Sequence, residues 1–181
     1  KREIPLRAHA HRADDILTAI RIAREFEVDL VLDHCTEGHK VADVLAEYGY
    51  PAVVGPSMVN RAKVELKDKS FKTPGILAKA GVKVAIMTDH SCTPIEQLPL
   101  CAALAVKEGM DEDEALKAIT INAAEILGVA DRIGSLEVGK DADIVIWSAH
   151  PFDLKARAEV VIIDGKVVKP EPESDSQIEK N

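Results

Sequence analysis

Between Ile4 and Leu127 the sequence alternates short apolar runs with stretches whose apolar residues recur at helical spacing, and no other feature restricts the fold as much. Residues 4–9 read as extended, with Pro5 tolerable only near a strand start. In residues 12–26, Ile16, Ala19, Ile20, Ala23 and Phe26 fall on one helical face. Leu30-Val31-Leu32 predicts a buried strand, and Val41, Val44, Leu45 and Tyr48 predict a helix stopped by Gly49. Residues 51–55 predict a third strand, followed by a long polar loop from Pro56 to Thr73 of the kind that is usually functional or mobile. Residues 74–80 predict a helix ended by Gly81, and 82–87 a fourth strand. Helices are expected over 98–107 and 111–127, the second opened by Asp111 with Glu114 three positions on.

Repeated strand–helix units imply parallel strands joined by right-handed crossovers. A closed eight-unit barrel needs about 250 residues, and this chain has 181. The fold class is therefore α/β, either an open doubly wound sheet or the second half of a TIM-like barrel. From about Asp131 the pattern turns β-rich, and Asp164-Gly165 between two apolar runs is a strong hairpin signal. The expected partition is a strand–helix part over 1–130, a β-rich segment over 131–169 and a disordered tail over 170–181. Lys1 is not a Met and a strand begins almost at once, so the chain is expected to start inside something larger.

Composition narrows the partners. With 23 Lys+Arg against 31 Asp+Glu the net charge is −8, and no basic stripe exists to meet nucleic-acid phosphates. No apolar run approaches the roughly 20 residues of a membrane span. Three cysteines without CxxC spacing favour a reduced, cytoplasmic compartment.

In parallel α/β folds ligands meet the carboxyl ends of the strands. His9 and His11 follow the first strand, His34 the second, and Asp89 with His90 the fourth. Two imidazoles and a carboxylate suit a borderline divalent ion such as zinc. His9 and His11, two apart, would share one face of a continuing strand. Asp89 beside such an ion can accept a proton from water and return it to a leaving group. Its plain rival is an Asx-turn residue. Asn60 and Arg61, in the long loop, could hold a substrate carboxylate. His39 reads as a solvent-exposed or cap residue, Glu37 as pocket-lining or simply helix-opening, Cys35 and Cys92 as space-fillers, and His150 as structural.

Arg7-Ala8-His9-Ala10-His11, Leu32-Asp33-His34-Cys35-Thr36-Glu37-Gly38 and Met87-Thr88-Asp89-His90 stand in the order of the metal-dependent amidohydrolase superfamily. Two later runs are more specific still: residues 118–128, AITINAAEILG, and residues 134–145, GSLEVGKDADIV. The sequence resembles the imidazolonepropionase-like branch, itself similar to Xaa-Pro dipeptidases, over nearly the whole chain except the tail. The resemblance implies the second half of a (β/α)8 barrel followed by part of a small β-domain. It implies His9 and His34 as metal ligands after strands five and six, and Asp89 as the strand-eight ligand and general base. His11, His90 and Arg61 are assigned to substrate contact. The implied activity is hydrolysis of a C–N bond, in a cyclic amide or similar small molecule, through a metal-activated hydroxide. The family's first-strand His-x-His pair and its strand-four Lys or Glu are absent from this chain. The alternatives are an inactive half barrel or assembly module, paired with an amino-terminal half or a second copy, and a stand-alone binding domain.

Overall fold

The computed structural model describes residues 3–168, so the expected tail lies outside the described residues. Four strands, β1 (Leu6–Ala10), β2 (Leu30–His34), β3 (Ala52–Val54) and β4 (Val84–Ile86), form one parallel sheet in that order. Between them run α1 (Ala13–Glu25), α2 (Ala42–Tyr48) and α3 (Thr73–Lys79). The register sets His9 opposite Asp33 and Ala10 opposite His34.

Alternation along the strands creates two different faces. Leu30, Leu32, Ala52, Val54 and Val84 face the helices, where they pack with Ile16, Ile20 and Ala23 of α1, Leu45 of α2 and Leu77 of α3. Val31, Val53 and Ala85 face the other way. On that second face Arg7 also forms a forked pair with Asp33, Nη2 to Oδ1 at 2.6 Å and Nε to Oδ2 at 3.1 Å. Gly49, at a left-handed φ of 69°, ends α2 as its sequence position suggests.

After β4 come α4 (Leu98–Lys107), α5 (Glu112–Ala118) and α6 (Ile121–Leu127). Asp111 caps α5 by accepting the Glu114 amide at 3.1 Å. One helix is expected over 111–127, but the chain breaks at Thr120, whose φ of −133° and ψ of −101° are not helical. The reason is packing. Ala115 and Ala118 of α5 join the α4 core, whereas Ile126 and Ala123 of α6 cover Val31, Val53 and Ala85. Asn122 Nδ2 donates to the Val84 carbonyl at 2.9 Å, and Lys83 pairs with Glu125 at 2.5 Å, so α6 sits at the amino-terminal ends of the strands.

A second sheet holds β5 (Ile144–Trp147), β6 (Ala158–Ile163) and β7 (Lys166–Val168), antiparallel throughout. Asp164 and Gly165 both have positive φ, 49° and 71°, as the tight hairpin between β6 and β7 requires. Phe152 ties this segment to the α4–α5 core. Among the described residues no helix is long and apolar enough to cross a membrane.

Candidate metal centre

Three imidazoles meet at the carboxyl ends of β1 and β2. His9 lies on the face of β1 opposite the helices, by strand parity. His34 ends β2, and alternation alone would aim it into the helical layer. Its φ of 69° and that of Cys35, 45°, turn the chain out of the strand, and its ring meets His9 instead. Positive φ in such residues is uncommon, and backbone strain of this kind concentrates at functional sites. His34 Nε2 lies 2.9 Å from His9 Nδ1, and His9 Nε2 lies 3.0 Å from His11 Nε2.

A backbone carbonyl fixes the tautomer of His34. His34 Nδ1 is 2.8 Å from the Gly55 carbonyl, which can only accept, so Nδ1 carries the proton and Nε2 keeps a lone pair. His9 Nδ1 then donates to His34 Nε2. His11 Nδ1 is hydrogen-bonded to the Thr36 hydroxyl at 2.8 Å. Gly55 is needed at the end of β3, because a side chain there would run into the Met87 carbonyl and its φ is 145°.

His11 and His34 are buried, at 7% and 6% exposure. Burial, reinforced by His34 and His9, lowers the His11 pKa to about 4. Burial also lowers that of His34, partly opposed by its bond to Gly55. Both rings are therefore neutral at pH 7, the form that ligates metals. One nitrogen from each of the three rings can be chosen so that all lie within 4.8 Å of one another. Tetrahedral zinc–imidazole bonding at about 2.1 Å would separate such nitrogens by about 3.4 Å. The cluster fits a borderline divalent ion in donor type.

The other residues singled out by sequence distribute themselves around this cluster. Asp89 stands at the same rim after β4, exposed, with φ 51°, and its charge acts on His34. Its carboxylate is not one of the clustered ligand atoms. His90 is exposed, and its Nδ1 accepts the Ile95 amide at 3.2 Å. His11, expected at the substrate, is inside the cluster. Arg61 lies in the β3–α3 loop and donates to the Lys69 carbonyl at 2.9 Å.

Glu37 is buried and structural: Oε2 accepts the Ala13 amide that opens α1, and Oε1 meets Lys40. His39, expected as a solvent-exposed or cap residue, is half-buried and bonded to Thr73. Cys35 is fully buried, and burial pushes its thiol up to about 12, in keeping with a space-filler. Cys92 is exposed and hydrogen-bonded to Asp89. His150 lies against Phe152 and within 3.4 Å of Glu112.

Sequence reasoning missed three contributors. The Gly55 carbonyl and the Thr36 hydroxyl orient His34 and His11. Glu65, on a single 3-10 turn at Val64–Leu66, brings Oε1 to 3.6 Å from His11 Nε2.

The sequence matches the Amidohydrolase family over residues 1–168. The chain belongs to that family. Among its relatives, the imidazolonepropionase of Cupriavidus metallidurans is 34% identical over 83% of this chain and 36% of its own length. Among solved structures, an amidohydrolase from Thermotoga maritima MSB8 is 54% identical with a TM-score of 0.90, over 93% of this chain and 44% of that one. An adenosine deaminase from Xanthomonas campestris with bound zinc is 26% identical with a TM-score of 0.63, over 91% and 45%. The chain thus spans less than half the length of these amidohydrolase relatives, and its four parallel strands correspond to part of a TIM-like barrel.

Proposed function

We propose that this chain forms the carboxyl-terminal half of a metal-dependent hydrolase that cleaves the C–N bond of a cyclic amide or amide-like small molecule. The observation that carries the reading is the convergence of His9, His11 and His34 at the strand ends, with one ring nitrogen of each within 4.8 Å of the others. In the proposal His9 and His34 hold the cation, Asp89 shares in holding it, and His11 stands close enough to join them. A divalent ion there, with zinc best suited to imidazoles, would supply Lewis acidity toward a substrate carbonyl and toward water.

The chain's own residues supply the rest. The Gly55 carbonyl keeps His34 Nε2 free of a proton. The Asp89 carboxylate takes a proton from the attacking water and returns it to the departing nitrogen. His90, on the loop after Asp89, contacts substrate in this proposal. The cysteine pattern is in keeping with a cytoplasmic setting.

The experiment is metal analysis of the purified full chain. One equivalent of zinc or a similar ion, lost in a His9→Ala/His34→Ala double variant, is expected. Wild-type protein that takes up no ion from a zinc-replete buffer would remove the basis of the reading.

The second reading is a half barrel that turns nothing over by itself and works as an assembly module. What favours it is that, among the described residues, β1 and β4 each have a neighbouring strand on one side only. The occupant of those edges would be an amino-terminal half or a second copy. Turnover of an amide substrate by the isolated chain would exclude this reading.

A further inference from the structure

The three imidazoles do not meet one another alike. Each ring has two nitrogens, and their lone pairs lie in the ring plane and diverge. His9 uses both of its nitrogens within the cluster. Nδ1 faces His34 Nε2 at 2.9 Å, and Nε2 faces His11 Nε2 at 3.0 Å. A single cation cannot draw on both nitrogens of one ring, so one side of His9 holds the ion and the other does something else. The ring planes separate the three pairs as well. His9 and His34 are tilted by 58°, which lets in-plane lone pairs converge. His11 and His34 are stacked, 29° apart with centroids at 4.5 Å, and their lone pairs run alongside one another more than toward a shared point.

A ligating imidazole ordinarily gives its other N–H to a fixed acceptor, which sets the tautomer and the angle of the ring. His34 has such a partner, the Gly55 carbonyl, 2.8 Å from Nδ1. At the corresponding place beside His9 stands His11 Nε2. His11 is seated as a fixed acceptor must be. It is buried, its carbonyl accepts the Glu37 amide at 2.8 Å, and its Nδ1 is bonded to the Thr36 hydroxyl at 2.8 Å. Backbone and ring are thus both tied to the segment after β2. Thr36 is buried in turn, and its carbonyl accepts from the Thr73 hydroxyl at 3.4 Å. Glu65 Oε1, 3.6 Å from His11 Nε2, adds negative charge beside that nitrogen and favours an N–H pointed at it.

We propose that His11 is a positioning residue of the metal centre and not one of its ligands: its Nε2 accepts the Nε2 proton of His9 and so turns His9 Nδ1 toward the cation. The proposal rests on the hydrolase reading above, in which His9 and His34 hold that cation, and it gives His11 and its Thr36 support their part in the site. A neutral His11 that accepts at Nε2 carries its proton on Nδ1, and the Thr36 hydroxyl receives it.

The test is nitrogen NMR of the zinc-loaded full chain, in which bare, protonated and metal-bound imidazole nitrogens differ in chemical shift. His9 should show a metal-bound Nδ1 and a protonated Nε2, and His34 a metal-bound Nε2 and a protonated Nδ1. His11 should show a protonated Nδ1 and no metal-bound nitrogen. Zinc affinity is the second readout. His11→Ala should still bind one equivalent, about 10–100-fold more weakly, the cost of removing the outer partner of a ligand. His9→Ala should lose stoichiometric binding.

A metal-bound nitrogen on His11, or His9 ligated through Nε2, would overturn the proposal, and the wild-type chain decides this whether or not the variants fold. An affinity unchanged in His11→Ala, or lost as completely as in His9→Ala, would overturn it too. The same samples separate the two ideas. Zinc held by His9 and His34 with His11 among the ligands contradicts the positioning role alone, whereas a wild-type chain that takes up no zinc contradicts the hydrolase reading and this proposal with it.

Discussion

Asp89 and His11 carry opposite kinds of expectation. For Asp89 the prediction concerns chemistry: in the assembled enzyme Asp89→Asn should lower kcat by about 10²–10⁴-fold, the usual worth of a positioned general base. Circular dichroism should be unchanged, because the side chain is exposed. Retained turnover would dismiss the proton-carrying role. For His11 the prediction concerns stability. Its folded pKa lies at about 4, below the ordinary 6.5, so as pH falls the unfolded chain takes up the proton first. Stability is full above about 6.5, declines down to about 4 and then levels, a change of up to roughly 3 kcal/mol. His34 is shifted in the same direction and adds to the slope. Urea midpoints of metal-free protein across that range should fall with pH, and less steeply in His11→Gln.

The elements differ in how far their roles can be read from sequence. β1 to β4 and α1 to α3 announce themselves, since buried parallel strands are short apolar runs and Gly49 and Gly81 stop the helices that follow. His9 and His34, at the ends of β1 and β2, and Asp89, after β4, stand out in the sequence because ligands gather at one end of such strands. The break between α5 and α6 cannot be found this way: both helices share one periodicity, and only the competition between the α4 core and the inner face of the sheet divides them. The contributions of Gly55, Thr36 and Glu65 to the site are equally silent. A carbonyl has no letter of its own, a threonine hydroxyl is common, and Glu65 reaches His11 only through the path of a long loop. The seat of α6 can be tested. Asn122→Ala leaves the Val84 carbonyl without its partner and should cost about 1–2 kcal/mol by urea denaturation. No loss would mean that α6 is held by its apolar contacts alone.

At the scale of the molecule, the four-stranded parallel sheet has β1 and β4 at its margins with no further strand beside them among the described residues, and such edges are a liability that proteins normally cover. Sedimentation velocity of the isolated chain should show self-association or require a complementary half. A monodisperse, well-folded monomer would contradict this. Joining changes the energetic meaning of residues far from the imidazoles. Arg7 and Asp33 are 39% and 21% exposed, so water screens their fork and its loss should matter little in the lone chain, of the order of 1 kcal/mol or less. If a complementary half closes over that face, the same two charges are shut away from water. Truncating one of them then strands the other, at a cost of about 3–5 kcal/mol. Arg7→Ala would thus be nearly silent in one context and damaging in the other, and the gap between the two measurements would report how tightly the halves meet.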